Sequence, residues 1–138
     1  MEDNPDDEVL TLMALEGCIT GSDIDVVRDG SEALDYLWSE GRYASSDLKA
    51  EPSLVLLDLK LPKLSGLEVL KRMRADTRTK HLPVVVFTSS IEERDMVDSY
   101  HLGANSYVQK PINMHEFDRA VKQVGAYWLE LNDVPSRF

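Results

Sequence analysis

Asp58 stands at the end of an unbroken aliphatic run, Leu54 to Leu57, and is followed by Leu59, Lys60, Leu61 and Pro62, with Gly66 shortly after. Consecutive aliphatic residues without polar alternation read as a strand buried on both faces, as in a parallel sheet. Pro62 and Gly66 then force a loop, which leaves the Asp58 carboxylate at the carboxyl edge of the sheet, where open α/β folds bind ligands. A carboxylate in that place is a candidate nucleophile. Two other strand-like runs end in reactive groups. Pro83 to Phe87 runs into Thr88, Ser89 and Ser90, and Ser106 to Gln109 runs into Lys110 and Pro111. The chain opens on Glu2, Asp3, Asp6 and Asp7, an acidic cluster directly ahead of a helical pattern. Each feature alone has a plainer reading: a strand-ending aspartate that caps a turn, a threonine that caps the next helix, a Lys-Pro turn, a solvated acidic terminus.

Composition narrows the classes. The chain has 138 residues, a length that supports one domain with a usable core. With 25 acidic and 15 basic residues the net charge is −10, which argues against a nucleic-acid surface, since that affinity comes largely from Lys and Arg on phosphates. No apolar stretch is long enough to cross a bilayer, and nothing resembles a signal peptide, so a cytoplasmic location is expected. Cys18 is the single cysteine and excludes an internal disulfide. His81, His101 and His115 show no metal-ligand spacing.

Helical and strand-like segments alternate, which predicts βα units and a mostly parallel sheet. Asn4 caps a first helix with Pro5 at its first position, and the helix stops near Gly17. Ile24 to Val27 reads as a short strand, followed by Asp29-Gly30 and a helix bearing Ala33, Leu34 and Leu37. Ser65 with Glu68, Ser90 with Glu93, and Asn113 with Glu116 each carry a helix-start signature, and Gly103 ends the helix that carries Met96, Val97 and Tyr100. The stretch Gly41 to Pro52 is long and polar for a helix-to-strand connection.

The ordered set of acid pair, Asp58, Thr88 and Lys110 resembles the receiver domains of two-component response regulators, over nearly the whole chain. The resemblance implies a flavodoxin-like doubly wound parallel sheet with strand order 2-1-3-4-5, and one receiver domain over residues 1–138 with an extended C-terminal helix and no output domain. It also implies an apolar first strand ahead of the acid pair. That strand is missing here, since the chain begins at Met1, so four strands, or a replacement strand from elsewhere, are expected.

The same resemblance assigns roles. Asp58 accepts a phosphoryl group from a sensor histidine kinase. Three carboxylates brought together there repel one another unless a cation neutralises them, and Mg²⁺ suits an all-oxygen setting. Its implied ligands are Asp3, Asp58 and the backbone carbonyl of Lys60, with Glu2 holding a coordinated water. Lys110 and Thr88 contact the phosphoryl oxygens, and Tyr107 matches the aromatic residue that responds to phosphorylation. The long Gly41–Pro52 connection and the ending Tyr127-Trp128-Leu129 resemble the single-domain regulators paired with phytochrome kinases. Phe117, Val121, Val124, Trp128 and Leu131 form a core-facing stripe, which leaves Tyr127 and Leu129 as surplus apolar surface and predicts a homodimer. No nucleic-acid or membrane partner is expected. A pseudo-receiver with an impaired site is one alternative. An aspartate-dependent phosphohydrolase is the other, and it is disfavoured by Lys60 where such enzymes place a second acid.

Overall fold

The computed structural model describes residues 1–17, 24–41 and 51–135. Polar caps start most of its helices. Asn4 Oδ1 accepts the amide protons of Asp6 and Asp7 at 3.0 and 3.1 Å and opens α1, Pro5–Glu16. Asp29 accepts from the Glu32 amide at 2.7 Å and opens α2, Gly30–Leu37. Strand β1, Val55–Leu57, precedes α3, Gly66–Ala75, where Ser65 Oγ accepts from the Glu68 amide at 3.2 Å. Glu68 pairs with Arg72 at 3.1 Å. Strand β2, Val84–Thr88, leads to α4, Glu93–His101, and strand β3, Ser106–Gln109, leads to α5, Met114–Gly125. Asn113 Oδ1 caps α5 by accepting from His115 and Glu116 at 2.9 and 3.1 Å. A π-helical segment, Ala126–Leu131, follows α5 directly.

The start of α4 differs from the sequence expectation. The helix begins at Glu93 without a side-chain cap. Ser90 Oγ instead accepts from the Glu92 amide at 3.3 Å and donates to Asp95 Oδ2 at 2.5 Å, so it shapes the turn ahead of the helix. Met96, Val97 and Tyr100 are exposed, and Ser99 is the residue that α4 buries completely.

The three strands are parallel in the order β1-β2-β3, with Leu56 opposite Val85 and Val86 opposite Tyr107. All of β2 is buried. Val84 and Val86 face a cluster that includes Leu57, Val69, Leu70 and Met73, with α2 and α3 over it. Phe87 faces Ala14, Leu15, Phe117 and Val121 from α1 and α5, and meets Phe117 edge-on at 5.1 Å. Helices thus cover both faces of the sheet, and the α/β architecture follows from the unalternated apolar strands.

Four strands were expected, and the described residues hold three. Ile24 to Val27 carries no regular strand. The segment beside it is Met1 to Asp3, which offers it one hydrogen bond, from the Glu2 amide to the Val27 carbonyl at 3.0 Å. On its other side this segment meets β1: the Met1 amino group donates to the Leu56 carbonyl at 2.8 Å, and the Asp58 amide donates to the Met1 carbonyl at 3.1 Å. That one bond to Val27, among the described residues, makes no ladder along residues 24–27.

Two glycines seat the loop after β1. A side chain on Gly66 would lie 2.3 Å from the Asp58 carbonyl oxygen, and one on Gly30 would lie 2.2 Å from the Leu64 carbonyl oxygen. The C-terminal stripe is also corrected. Phe117 and Val121 are buried, but Leu131 is 71% exposed, because the wider π turn breaks the helical register after Gly125. Trp128 and Leu129 are half-buried and line a groove of about 430 Å³ with Pro52, Leu82 and Pro83 at the amino ends of the strands. Cys18 and most of the Gly41–Pro52 connection, residues 42–50, lie outside the described residues. No helix among the described residues is long and apolar enough to cross a membrane.

Candidate functional site

Parallel strands bring their carboxyl ends to one edge, and here that edge collects Asp58 after β1, Thr88 at the end of β2 and Lys110 after β3. Glu2 and Asp3 reach the same edge because residues 1 and 2 are hydrogen-bonded between Val27 and β1. Lys110 is the hub. Its ammonium donates to Glu2 Oε1 at 2.6 Å, to Asp7 Oδ2 at 2.8 Å and to Asp58 Oδ2 at 2.9 Å. These three acceptors use all three of its protons. The side chains of Lys110 and Asp58 are 5% and 7% exposed, so the pair is shielded from solvent, whereas Asp7 at 24% lies nearer the mouth.

Each carboxylate answers to its surroundings. Burial pushes the Asp58 carboxyl up, but the Lys110 hydrogen bond and charge, the Glu2 contact and the Lys60 amide together hold it below its ordinary value. It is therefore ionised at neutral pH, with the chemistry of an oxygen nucleophile available to it. Glu2 moves the other way. Its burial, opposed by the Lys110 hydrogen bond and reinforced by the Asp58 charge, pushes it up to about 7. For Lys110 burial is the largest influence and lowers its pKa, but hydrogen bonds to Asp7, Glu2 and Asp58 outweigh it and leave the amine above its usual range.

Glu2, Asp3 and Asp58 each offer an oxygen within 4.8 Å of the others. An all-carboxylate set of this kind fits a hard divalent cation. Lys60 enters through its amide, which donates to Asp58 Oδ1 at 3.2 Å. Thr88 is fully buried, and its Oγ1 accepts from the Ser90 amide at 3.3 Å. Tyr107, one strand further on, donates its hydroxyl to the Ser90 carbonyl at 3.3 Å. Asp7 is the site residue that motif reading does not single out. The available signal is its position in the first turn of α1, three residues after the Asn4 cap, which turns it toward the same edge as Asp3.

Comparison with known proteins speaks to the family and the fold. The response regulator receiver domain family matches residues 5–122. The chain is 37% identical to the probable methanogenesis regulatory protein FilR2 of Methanothrix harundinacea, over 98% of this chain and 84% of that protein. It is 35% identical to response regulator Rcp1 of Synechocystis sp., over 99% of this chain and 90% of that protein. The crystal structure of the Mn²⁺-bound form of Rcp1 superposes with a TM-score of 0.91 at 34% identity, over 99% of this chain and 96% of that one. The phosphorylated cyanobacterial phytochrome response regulator RcpA superposes with a TM-score of 0.92 at 40% identity, over 99% of this chain and 95% of that one.

Proposed function

The chain belongs to the response regulator receiver family of two-component systems, and on that premise we propose that it is a stand-alone phospho-accepting switch that takes a phosphoryl group onto Asp58 and signals through protein contacts. The observation that carries this reading is the buried Asp58–Lys110 pair at 2.9 Å, with Glu2 and Asp3 beside it. A carboxylate oxygen of Asp58 attacks phosphorus, the P–N bond of a kinase phosphohistidine breaks, and the imidazole leaves. Lys110 transfers the hydrogen bond it gives Asp58 to a phosphoryl oxygen, and the Thr88 hydroxyl donates to another. Asp3, Asp58 and the Lys60 carbonyl, with Glu2 through a water, would hold Mg²⁺, which would neutralise the carboxylates and the phosphoryl oxygens. Lys60, exposed and basic, stands two residues after Asp58 where aspartate-dependent phosphohydrolases place a second carboxylic acid, which counts against that reading.

The strand order 2-1-3-4-5 belongs to the same reading, with residues 1–3 standing in the first-strand position between residues 24–28 and β1. The donor is a sensor histidine kinase, of phytochrome type by the likeness to RcpA and Rcp1. Output runs through a homodimer that uses Tyr127 and, in place of the half-buried Leu129 expected from the sequence, Leu131; these are 48% and 71% exposed. Sedimentation of Tyr127→Ala with Leu131→Ala is expected to show weaker association at unchanged phosphorylation. The central test is intact-mass spectrometry after acetyl phosphate and Mg²⁺. Wild type gains one phosphoryl group and Asp58→Asn gains none; equal incorporation in both removes the assignment.

A further inference from the structure

We infer that Asp7 is an electrostatic brake on phosphorylation: its carboxylate, held on Lys110 beside Asp58, opposes entry of the anionic phosphoryl donor. The inference rests on Asp58 being the phosphoacceptor and concerns how fast that site is charged. The placement of Asp7 is fixed locally. Its own amide donates to Asn4 Oδ1 at 3.1 Å in the first turn of α1, and its Oδ2 lies 2.8 Å from Lys110 Nζ. Asp58 Oδ2 lies 2.9 Å from the same nitrogen, so the two carboxylate oxygens are no farther apart than these two bonds laid end to end. At that range two unit charges interact strongly at the effective dielectric of a protein surface.

Three features single out Asp7 among the acids of the site. It is outside the set Glu2, Asp3 and Asp58 that converges on one point, so a cation held there takes no bond from it and its counter-charge is the shared Lys110 ammonium. Its side chain is 24% exposed against 7% for Asp58, so its charge lies nearer solvent than the phosphoacceptor does. It also holds one of the three Lys110 protons, and that proton stays committed when Asp58 gives up its own to the phosphoryl group. A phosphoryl group entering as a dianion therefore meets a fixed negative charge and a lysine already shared. No covalent step beyond transfer to Asp58 is involved.

Asp7→Asn keeps the size of the side chain and an oxygen to accept from Lys110, and removes only the charge. In full-length protein with Mg²⁺ and subsaturating acetyl phosphate at low ionic strength, its phosphorylation rate is expected to rise roughly fivefold, about 1 kcal/mol of barrier. Added salt should bring the wild-type rate up toward that of Asp7→Asn, since screening weakens the repulsion. Asp7→Glu, which restores the charge, should stay near wild type, and Asp7→Ser serves as a second neutral variant. A merely structural role would not produce this salt dependence. Rates for both neutral variants at or below wild type, with melting curves that show them folded, would overturn the brake while leaving Asp58 phosphorylation intact. A wild type that takes no phosphate on Asp58 would instead remove the phosphoacceptor reading, and the brake with it.

Discussion

The Tyr107 hydroxyl donates to the Ser90 carbonyl at 3.3 Å, which ties β3 to the loop that Thr88 leads into. Ser90 is otherwise held by local partners: its amide donates to Thr88 Oγ1 and its hydroxyl donates to Asp95 in α4. A movement of Thr88 toward a phosphoryl group on Asp58 thus pulls on a segment already linked to Tyr107 and α4. Tyr107→Phe is expected to cost about 0.5–1 kcal/mol of stability, the worth of one long hydrogen bond. It should leave the rate of Asp58 phosphorylation unchanged while reducing the phosphorylation-dependent change in amide exchange across α4. An unaltered exchange response would show that this link carries no signal.

Mg²⁺ should raise the melting temperature by relieving repulsion among Glu2, Asp3 and Asp58, whose oxygens converge within 4.8 Å. Binding to the folded state alone is worth about 2.7 kcal/mol at a hundredfold excess over Kd. Asp3→Ala should lose most of that response. Equal stabilisation of variant and wild type in calorimetry would show that the acid pair is not the cation site.

The metal-free protein should lose stability as pH rises from about 4.5 to about 7, the ordinary and folded values for Glu2. A carboxyl whose folded pKa is raised binds more protons in the native state, so its contribution is fully present below the unfolded value and is lost through the folded one. Asp58 has the opposite sign: its depressed pKa adds stability above the ordinary carboxyl range and loses it on acidification. Denaturant midpoints across this window read the slope directly. Glu2→Gln should flatten it, and a wild-type profile that is already flat would contradict the assigned environment.

Gly66→Ala should destabilise the fold by roughly 1–3 kcal/mol, the range for forcing atoms into a packed site. The added methyl would sit 2.3 Å from the Asp58 carbonyl oxygen and 2.7 Å from the Leu59 Cα, both of them backbone atoms that cannot swing aside. Because the displaced segment carries the phosphoacceptor, phosphorylation by acetyl phosphate should slow as well. A variant with wild-type melting and wild-type kinetics would mean that the loop relaxes freely.

Much of this protein is written locally. The caps at Asn4, Asp29, Ser65 and Asn113 start their helices as short-range hydrogen bonding requires. The apolar runs before Asp58 and Thr88 form the buried parallel strands, and strand direction alone then carries Asp58, Thr88 and Lys110 to one edge. Other features depend on what lies opposite. Met96, Val97 and Tyr100 follow a helical period, yet α4 presents them to solvent, because periodicity defines a face without saying that anything covers it. The stripe from Phe117 to Leu131 is regular in sequence and is broken by the π turn after Gly125. Asp7 looks like one more acid at a helix start until Lys110, 103 positions away, is folded against it. Contacts at that separation are fixed by how the elements dock, and that docking left one buried lysine to be shared by three carboxylates.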